Sequence, residues 1–271
     1  MLSLRYSLFA GLIVSNLVAG GGCATGRLRL PTGPGIPRSD FAALFEEATT
    51  GCRSVRTITA ELSLSGRAGA QRLRGRVQAG LTAPAAVRLE APAPFGAPLF
   101  ILAAPNERGT LLLPRDRRVV RDALVRDVLA ALAGVELGAA DLRALVSGCV
   151  IPDPRAQAAR EYPGDWIAVD LQDAAVAWLH KQNGRWRLAA GEHAGLRVEY
   201  ANGTTAGADV PRQLRVSASA ASDTADVDLR ISLTQVEINV PLGPEAFTLT
   251  VPPGTSPMTL DELRASGPLS R

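Results

Sequence analysis

The sequence has few of the residue types on which many enzymes and nucleic-acid-binding proteins depend. Its 271 residues include three tryptophans, three tyrosines, six phenylalanines, two histidines and three cysteines. Platforms that stack nucleic-acid bases need aromatic side chains, and zinc sites and most acid–base catalysis use histidine or cysteine. Because His180 and His193 have no cysteine or glutamate at a ligand-like spacing, we predict no metal site and no histidine-dependent catalysis.

Sequence motifs for common catalytic and cofactor-binding sites are also absent. The chain has no Gly-x-Ser-x-Gly nucleophile elbow, no phosphate-binding P-loop and no Gly-x-Gly-x-x-Gly motif. Asp223, Asp226 and Asp228 lie close together in sequence, but the glycine and glutamate of a calcium-binding loop do not follow them. We therefore predict a protein that is not an enzyme and that carries no cofactor.

Charge of one sign is not concentrated in any segment of the chain. Lysine and arginine number 29 against 26 acidic residues, which gives a formal net charge of +3. The arginines between residues 115 and 126 alternate with aspartates, a pattern typical of an ordinary solvated surface. The composition therefore gives no reason to expect a nucleic-acid partner.

The N-terminus has the pattern of a secretory signal followed by a lipid attachment site. Residues 1–22 contain Arg5, an apolar stretch at 8–18 and a run of small residues, and Cys23 follows directly. This arrangement resembles a bacterial lipobox, in which the thiol receives diacylglycerol, so we predict lipidation at Cys23. By the same resemblance, alanine rather than aspartate at position 24 indicates the outer membrane. The alternative is a plain signal peptide with an incidental cysteine.

The segment after the predicted lipid site is rich in proline and glycine. We interpret residues 23–38 as a flexible tether that reaches roughly 20 Å if it behaves as a coil. Residues 39–271 contain no further linker, so they are predicted to form a single domain.

The two remaining cysteines, Cys52 and Cys149, lie on the apolar faces of predicted helices. An exported protein meets oxidising conditions, in which an even pair of cysteines favours a disulfide. We predict a Cys52–Cys149 disulfide. The alternative is a pair of buried free thiols, because the sequence alone does not show whether the two Cα atoms come close enough to be bridged.

Helical periodicity is confined to a few short segments. Ser39 is a candidate N-cap for a helix at 40–51, and apolar stripes predict helices at 122–133 and from 141 to 148, with a short one at 259–265.

Most of the remaining chain alternates between apolar and polar residues, which indicates antiparallel strands with one apolar face. Asn183-Gly184 predicts a tight hairpin. A change of phase near Thr234-Gln235 predicts a bulge in the strand at 225–240. About ten antiparallel strands with three short helices predict a mainly β fold of the α+β class. Its form would be an incomplete antiparallel β-barrel or strongly curved sheet, with a helical lid over an apolar cavity.

The order of features at residues 92–149 resembles a known family. Pro94-Phe95-Gly96 links two strands, a helix at 122–133 leads into Gly134-Val135-Glu136-Leu137, and a second helical segment ends at Gly148. A strand at Ala60–Gly66 precedes them. This arrangement resembles the LolA/LolB superfamily, in particular the LolB-like outer-membrane lipoprotein-localisation proteins, over roughly residues 39–200. The C-terminal 40 or so residues are then an extension of the family domain.

This resemblance implies an incomplete barrel whose cavity takes the acyl chains of lipoproteins. It also implies a membrane-insertion loop formed by Pro94, Phe95 and Gly96, with Phe95 exposed; the alternative is a buried turn aromatic. Apolar side chains of the sheet are expected to line the acyl-binding cavity: Leu62, Leu64, Val77, Leu89, Leu99 and Ile101.

The sequence therefore predicts a monomeric lipoprotein that is anchored in the outer membrane through Cys23 and faces the periplasm. Its predicted partners are lipidated proteins or lipid acyl chains, and its predicted role is to help localise or insert lipoproteins. The alternative is a structural or assembly lipoprotein that uses the same fold to bind a protein partner.

Overall fold

The computed structural model describes residues 27–69, 71–205, 208–219 and 226–267, and gives no side-chain description for 202–209. Cys23 and the predicted signal segment 1–22 therefore lie outside the described residues.

The described residues form fifteen strands and four α-helices. The strands are β1 (Ile36–Pro37), β2 (Thr57–Ala68), β3 (Gln71–Thr82), β4 (Ala86–Ala91), β5 (Phe100–Ala104), β6 (Arg108–Leu113), β7 (Arg118–Leu124), β8 (Ala156–Tyr162), β9 (Trp166–Leu171), β10 (Val176–Gln182), β11 (Arg185–His193), β12 (Leu196–Thr205), β13 (Ala208–Ala218), β14 (Val227–Ile238) and β15 (Ser256–Pro257). The helices are α1 (Ala42–Arg53), α2 (Val125–Ala133), α3 (Ala139–Ser147) and α4 (Leu260–Ser266), with short 3₁₀ turns at Gln172–Ala174 and Pro244–Phe247.

All fifteen strands belong to one open, curved sheet in the order β1-β8-β9-β10-β11-β12-β13-β14-β2-β3-β4-β5-β6-β7-β15. Strands β2 to β7 pair in chain order, as do β8 to β14, and β14 then pairs antiparallel with β2. The chain passes from the first set to the second through α2 and α3. The prediction of a mainly β fold with a curved sheet and short helices is confirmed, and the sheet does not close into a barrel.

The two faces of the sheet differ in polarity because side chains alternate along each strand. On β3, Leu73 and Val77 are buried, whereas Arg72, Arg74 and Arg76 are exposed. We call the face that packs against α1, α2 and α3 the inner face, and the opposite face the outer face. The inner face holds the main apolar core, and charged side chains are concentrated on the outer face.

Several local predictions agree with the structure. Asn183 and Gly184 both have positive φ, 50° and 78°, as a two-residue hairpin turn between β10 and β11 requires. In β14 the pairing with β2 shifts between Thr234 and Glu237, where Gln235 has φ of 51°. The phase change in the sequence therefore marks a real bulge.

Other local predictions were incomplete. Phe41, not Ser39, is the N-cap residue of α1, and no side chain caps this helix. Strands β7 and β8 were not predicted. Arginines and aspartates interrupt the apolar pattern of β7, and β8 is mostly polar, so neither strand shows a clear period of two.

The segment at residues 27–38, which we call the leader, was expected to be a flexible tether but is bound to the outer face. The backbone N–H of Leu28 donates a hydrogen bond to the Glu199 carboxylate at 3.0 Å, and the Arg197 guanidinium donates to the Leu28 carbonyl oxygen. Leu28 and Leu30 pack on the apolar cluster of Tyr162 and neighbouring residues, and β1 pairs with β8. The prolines and glycines of this segment do not prevent its docking, because the docking does not require a continuous ladder of backbone hydrogen bonds. Side chains of the sheet supply partners for its backbone.

The C-terminal segment wraps around one edge of the sheet. The turn Pro244–Phe247 contacts β4 and β5, with the Arg88 guanidinium donating to the Ala246 carbonyl oxygen at 3.3 Å. Strand β15 then pairs parallel with β7, and α4 packs against α2 with Leu263 fully buried in the main core. The predicted extension therefore shares the core of the domain.

A disulfide joins Cys52 in α1 to Cys149, which lies just after α3, and their Cα atoms are 5.5 Å apart. The two sulfur atoms lie in a buried cluster with Ala144. The covalent link fixes the end of α3 to α1 over a sequence separation of 97 residues.

Removing this disulfide with Cys52→Ala and Cys149→Ala should lower the free energy of unfolding by about 3–5 kcal/mol, because the unfolded chain regains the freedom of a long loop. Urea unfolding followed by circular dichroism measures the change. A reductant should destabilise the parent protein by a similar amount and leave the double variant unchanged. A double variant as stable as the parent would contradict this expectation.

Candidate functional site

An apolar cavity of about 80 Å³ lies between the inner face of the sheet and the helices α2 and α3. Every side chain that lines it is apolar: Leu62, Leu64, Val77, Leu89, Phe100, Leu129, Leu132, Ala133, Val135, Leu137, Leu142, Leu145, Val146, Val216, Leu229 and Ile231. The cavity contains no polar group that could orient a substrate or take part in proton transfer, so its chemistry is that of an apolar binding site.

Helix α2 supplies one wall because its apolar residues recur every three or four positions. Val125, Val128, Leu129 and Leu132 are all buried. The helix ends at Gly134, whose φ of 68° is left-handed and where an added Cβ would lie 2.8 Å from the Ala68 Cβ. A glycine is therefore required here both for the backbone turn and for close packing on β2.

Helix α3 supplies the second wall and is fastened at both ends. At its N-terminus the Glu107 carboxylate accepts hydrogen bonds from the backbone N–H groups of Ala139, at 2.8 Å, and Ala140, at 3.1 Å. These two N–H groups have no partner within the helix, and a carboxylate there also interacts favourably with the helix dipole.

At its C-terminal end α3 is held by the disulfide at Cys149 and by Tyr200. The Tyr200 hydroxyl donates a hydrogen bond of 2.8 Å to the Cys149 carbonyl oxygen. Burial of the phenol raises the pKa of Tyr200, so the hydroxyl keeps the proton that it donates. On the same helix, the Arg143 guanidinium donates to the Val55 carbonyl oxygen at 3.1 Å, and burial lowers the pKa of Arg143.

The cavity as it stands is smaller than a site for an extended ligand. Pockets that enclose small molecules usually measure about 300–1,000 Å³. A ligand with a long apolar chain therefore requires α2 or α3 to move away from the sheet. We call the arrangement described here, with α2 and α3 packed on the sheet, the closed form.

Four of the six residues predicted to line the cavity do so: Leu62, Leu64, Val77 and Leu89. Leu99 and Ile101 lie outside the lining, which corrects the prediction for these two residues. Along β5, Phe100, Leu102 and Ala104 belong to the main core, whereas Ile101 is only partly buried and lies on the opposite face. The run Leu99-Phe100-Ile101-Leu102 is continuously apolar, so the sequence did not show which residues face the helices.

The prediction also omitted lining residues from both helices and from the second half of the sheet. Val216, Leu229 and Ile231 alternate with polar residues on β13 and β14. Their alternation was visible in the sequence. Their place in the cavity depends on the pairing of β14 with β2, which brings distant segments together.

The loop at Pro94, Phe95 and Gly96 connects β4 to β5, and Phe95 is 87% exposed. The Arg115 guanidinium donates hydrogen bonds to the carbonyl oxygens of Phe95 and Ala97, the latter at 2.9 Å. The backbone of the loop is thus held in place while the aromatic ring stays in solvent. A large exposed aromatic side chain on a fixed loop is typical of a contact with a partner or a membrane.

The two histidines belong to no cluster of metal ligands among the described residues. His180 stacks on Trp166, with ring centroids 4.3 Å apart. Across the described ranges, no three His, Cys, Asp or Glu side chains come together in a way that could hold a metal ion. None of the helices in this part of the chain has the length and apolar composition needed to cross a bilayer.

No protein-family model and no curated protein matches this sequence. Solved structures do match it. A LolA superfamily protein from Nitrosomonas europaea covers 76% of this chain and 96% of its own, with a TM-score of 0.51 and 12% identity. A DUF1329 family protein from Desulfovibrio piger covers 78% of this chain and 98% of its own, with a TM-score of 0.50 and 12% identity.

An identity this low establishes the fold alone. The described chain has the fold of the LolA superfamily protein, and the resemblance drawn from residues 92–149 is confirmed at the level of fold.

Replacing the carboxylate that caps α3, with Glu107→Ala, should lower the free energy of unfolding by about 1–2 kcal/mol, because two helix N–H groups lose their partner. Amide hydrogen exchange of the first turn of α3 should become faster. Asp116→Ala is the control, because Asp116 is exposed and forms no hydrogen bond or ion pair with any described residue. Unchanged exchange in α3 would show that Glu107 does not fix this helix.

Proposed function

We propose that the protein is a non-enzymatic, lipid-anchored protein of the bacterial envelope that binds the acyl chains of lipoproteins or lipids. The observation that carries this proposal is the cavity beneath α2 and α3, which is lined by apolar side chains alone. An apolar chain gains about 0.8 kcal/mol for each methylene group that it removes from water. Such a ligand needs no polar partner in the site.

The helices that close the cavity explain how an empty site remains stable in water. Leu129, Leu132 and Leu142 cover the apolar inner face in the closed form. When a helix moves outward, the acyl chain takes over the contacts that these side chains made with the sheet. The exchange of one apolar partner for another keeps the cost of opening low, since no polar group has to be desolvated.

The more specific role that we propose is the localisation of lipoproteins at the outer membrane. Three features support it: the lipobox-like pattern at Cys23, the alanine at position 24 and the exposed side chain of Phe95. In this role the anchor holds the domain at the membrane, the cavity accepts the acyl chains of a lipoprotein, and the Phe95 loop contacts the bilayer during delivery.

Acyl binding is tested by mass spectrometry of lipid that copurifies with the Cys23→Ser protein, which is not itself lipidated. We expect bound acyl chains in this protein, and their loss in Ala133→Phe, because Ala133 lines the cavity and a phenyl ring would fill it. Ala48→Phe is the matched control, because Ala48 is also partly buried on a helix but packs in the separate cluster beneath α1.

Three outcomes decide between the candidate roles. Bound lipid that Ala133→Phe removes and Ala48→Phe retains supports acyl binding in this cavity. An interior free of lipid in all three proteins would contradict it and favour the structural role, in which the same fold binds a protein partner. Equal lipid loss in both alanine variants would show that the effect comes from destabilisation.

The role of the loop is tested by Phe95→Glu. We expect delivery of bound lipoprotein to liposomes to fall severalfold, because a charge on the tip of the loop opposes its partition into the bilayer. Acyl binding and thermal stability should be unchanged, since exposed substitutions usually alter stability by less than about 0.5 kcal/mol.

Val240→Glu is the control for this experiment. Val240 is also an exposed apolar residue, but it lies beside Thr57, at the end of the sheet opposite the Phe95 loop. A Phe95→Glu protein that is stable and delivers lipoprotein at the parent rate would refute the role of this loop, and so would an equal loss of delivery in the Val240→Glu protein.

A further inference from the structure

Five exposed arginines form a cluster on the outer face of the sheet, across β2, β3 and β14. We call it the outer-face arginine cluster; its members are Arg67, Arg72, Arg74, Arg76 and Arg230. The register sets Arg67 directly opposite Arg72, and Ser65 lies between Arg74 on one side and Arg230 on the other. Segments that are more than 150 residues apart in sequence therefore place their cations side by side.

None of these five arginines forms an ion pair with any described residue, and Arg230 contributes at longer range to lowering the pKa of the Asp228 carboxyl. The neighbouring acid Asp228 is already engaged by Arg215, at 2.5 Å, and by Arg27, at 3.8 Å. The hydrogen bond from Arg215 is the main reason that the pKa of Asp228 is lowered. Asp226, two residues before Asp228, is exposed and also forms no ion pair with a described residue. The five arginines outnumber the neighbouring acids Asp226 and Asp228, so the cluster carries an excess of positive charge. Like charges that face each other across strands repel, and this repulsion favours an anionic partner.

The N-terminal end of the leader lies on the same face. Arg27 is paired with Asp228 on β14, and Leu28 is bound by Glu199 on β12. Cys23 precedes Arg27 by four residues, which span at most about 14 Å when fully extended. A lipid on Cys23 therefore places the bilayer surface within that distance of the Arg27 backbone, and the Arg27 side chain is paired with Asp228 beside the cluster. This step rests on the proposed lipid anchoring.

The Phe95 loop lies toward the same end of the sheet. Glu90 of β4 pairs with Gln78 of β3, and the two strands are antiparallel. The chain that leaves β4 toward the Phe95 loop therefore runs in the direction of Arg76, Arg74 and Arg72 on β3. The arginine cluster, the start of the described leader and the exposed aromatic ring thus belong to one region of the molecule.

We propose that the outer-face arginine cluster binds the headgroups of anionic lipids in the membrane that holds the protein. The planar guanidinium group donates paired hydrogen bonds to phosphate oxygens, and basic side chains near an anionic bilayer each contribute to attraction. Through these contacts the outer face lies toward the bilayer, and the helices that close the cavity lie on the opposite side of the sheet.

The test is cosedimentation of the Cys23→Ser protein with vesicles, so that the lipid anchor does not contribute. We expect binding to vesicles of phosphatidylcholine and phosphatidylglycerol, weaker binding to phosphatidylcholine alone, and loss of the difference at about 0.5 M salt. Combining Arg72→Gln, Arg74→Gln and Arg76→Gln should weaken binding to the anionic vesicles roughly 10–100-fold.

The matched control combines Arg56→Gln, Arg121→Gln and Arg185→Gln, which removes the same charge from exposed, unpaired arginines outside the cluster. This control should retain at least half of the parent affinity. Equal losses in both triple variants, or no preference of the parent for anionic vesicles, would overturn the proposal. Binding of soluble glycerol phosphate without binding of vesicles would overturn the assignment to a membrane.

The lipid content of each triple variant separates this proposal from the proposed function. Mass spectrometry should find the same bound acyl chains in the cluster variant as in the parent, because the arginines and the cavity lie on opposite faces of the sheet. A cluster variant that loses vesicle binding and keeps its acyl chains supports the headgroup site. If the parent binds vesicles through the cluster but holds no acyl chains, acyl binding is refuted and the headgroup site is not.

Discussion

The apolar inner face of a single open sheet has to be covered, and the rest of the structure depends on how this is done. Fifteen strands expose far more apolar surface than one helix can protect. Helix α1 covers the strands around β11, α2 and α3 cover the centre, and α4 returns from the far edge to pack on α2. Three separate segments of the chain, α1, α2 with α3, and α4, therefore cover the inner face. They leave a gap beneath α2 and α3, and this gap is the cavity.

The two helices that cover the cavity are held in place by different kinds of contact. Helix α3 is held at its start by Glu107 and at its end by the disulfide at Cys149 and by Tyr200. Helix α2 has no disulfide. It is held by apolar contacts with the sheet and with α4, by a hydrogen bond of 2.9 Å from the Val125 N–H to the Glu107 carbonyl oxygen, and by an ion pair between Arg126 and Glu136. The contacts that hold α3 therefore include a covalent bond, whereas those that hold α2 do not.

The two faces of the sheet serve different kinds of contact because alternation along each strand separates apolar from charged side chains. The inner face offers burial without polar groups, and the outer face carries the outer-face arginine cluster, whose members form no ion pair with a described residue. The docked leader connects these properties to the proposed anchor, because it fixes Arg27 against β14 on the outer face. An acyl chain and a headgroup would therefore be bound on opposite sides of the same layer.

The sequence by itself determined the local features, and only the tertiary structure decided which of them meet. Alternation, the Asn183-Gly184 turn, the bulge near Gln235 and the end of α2 at Gly134 depend on neighbouring residues, so they were predictable. The sequence did not predict that Phe100 rather than Ile101 lines the cavity, because a continuously apolar run does not show which of its residues share a face. The arginine cluster was not visible either, since its charges are spread along the chain and are brought together only when β14 pairs with β2.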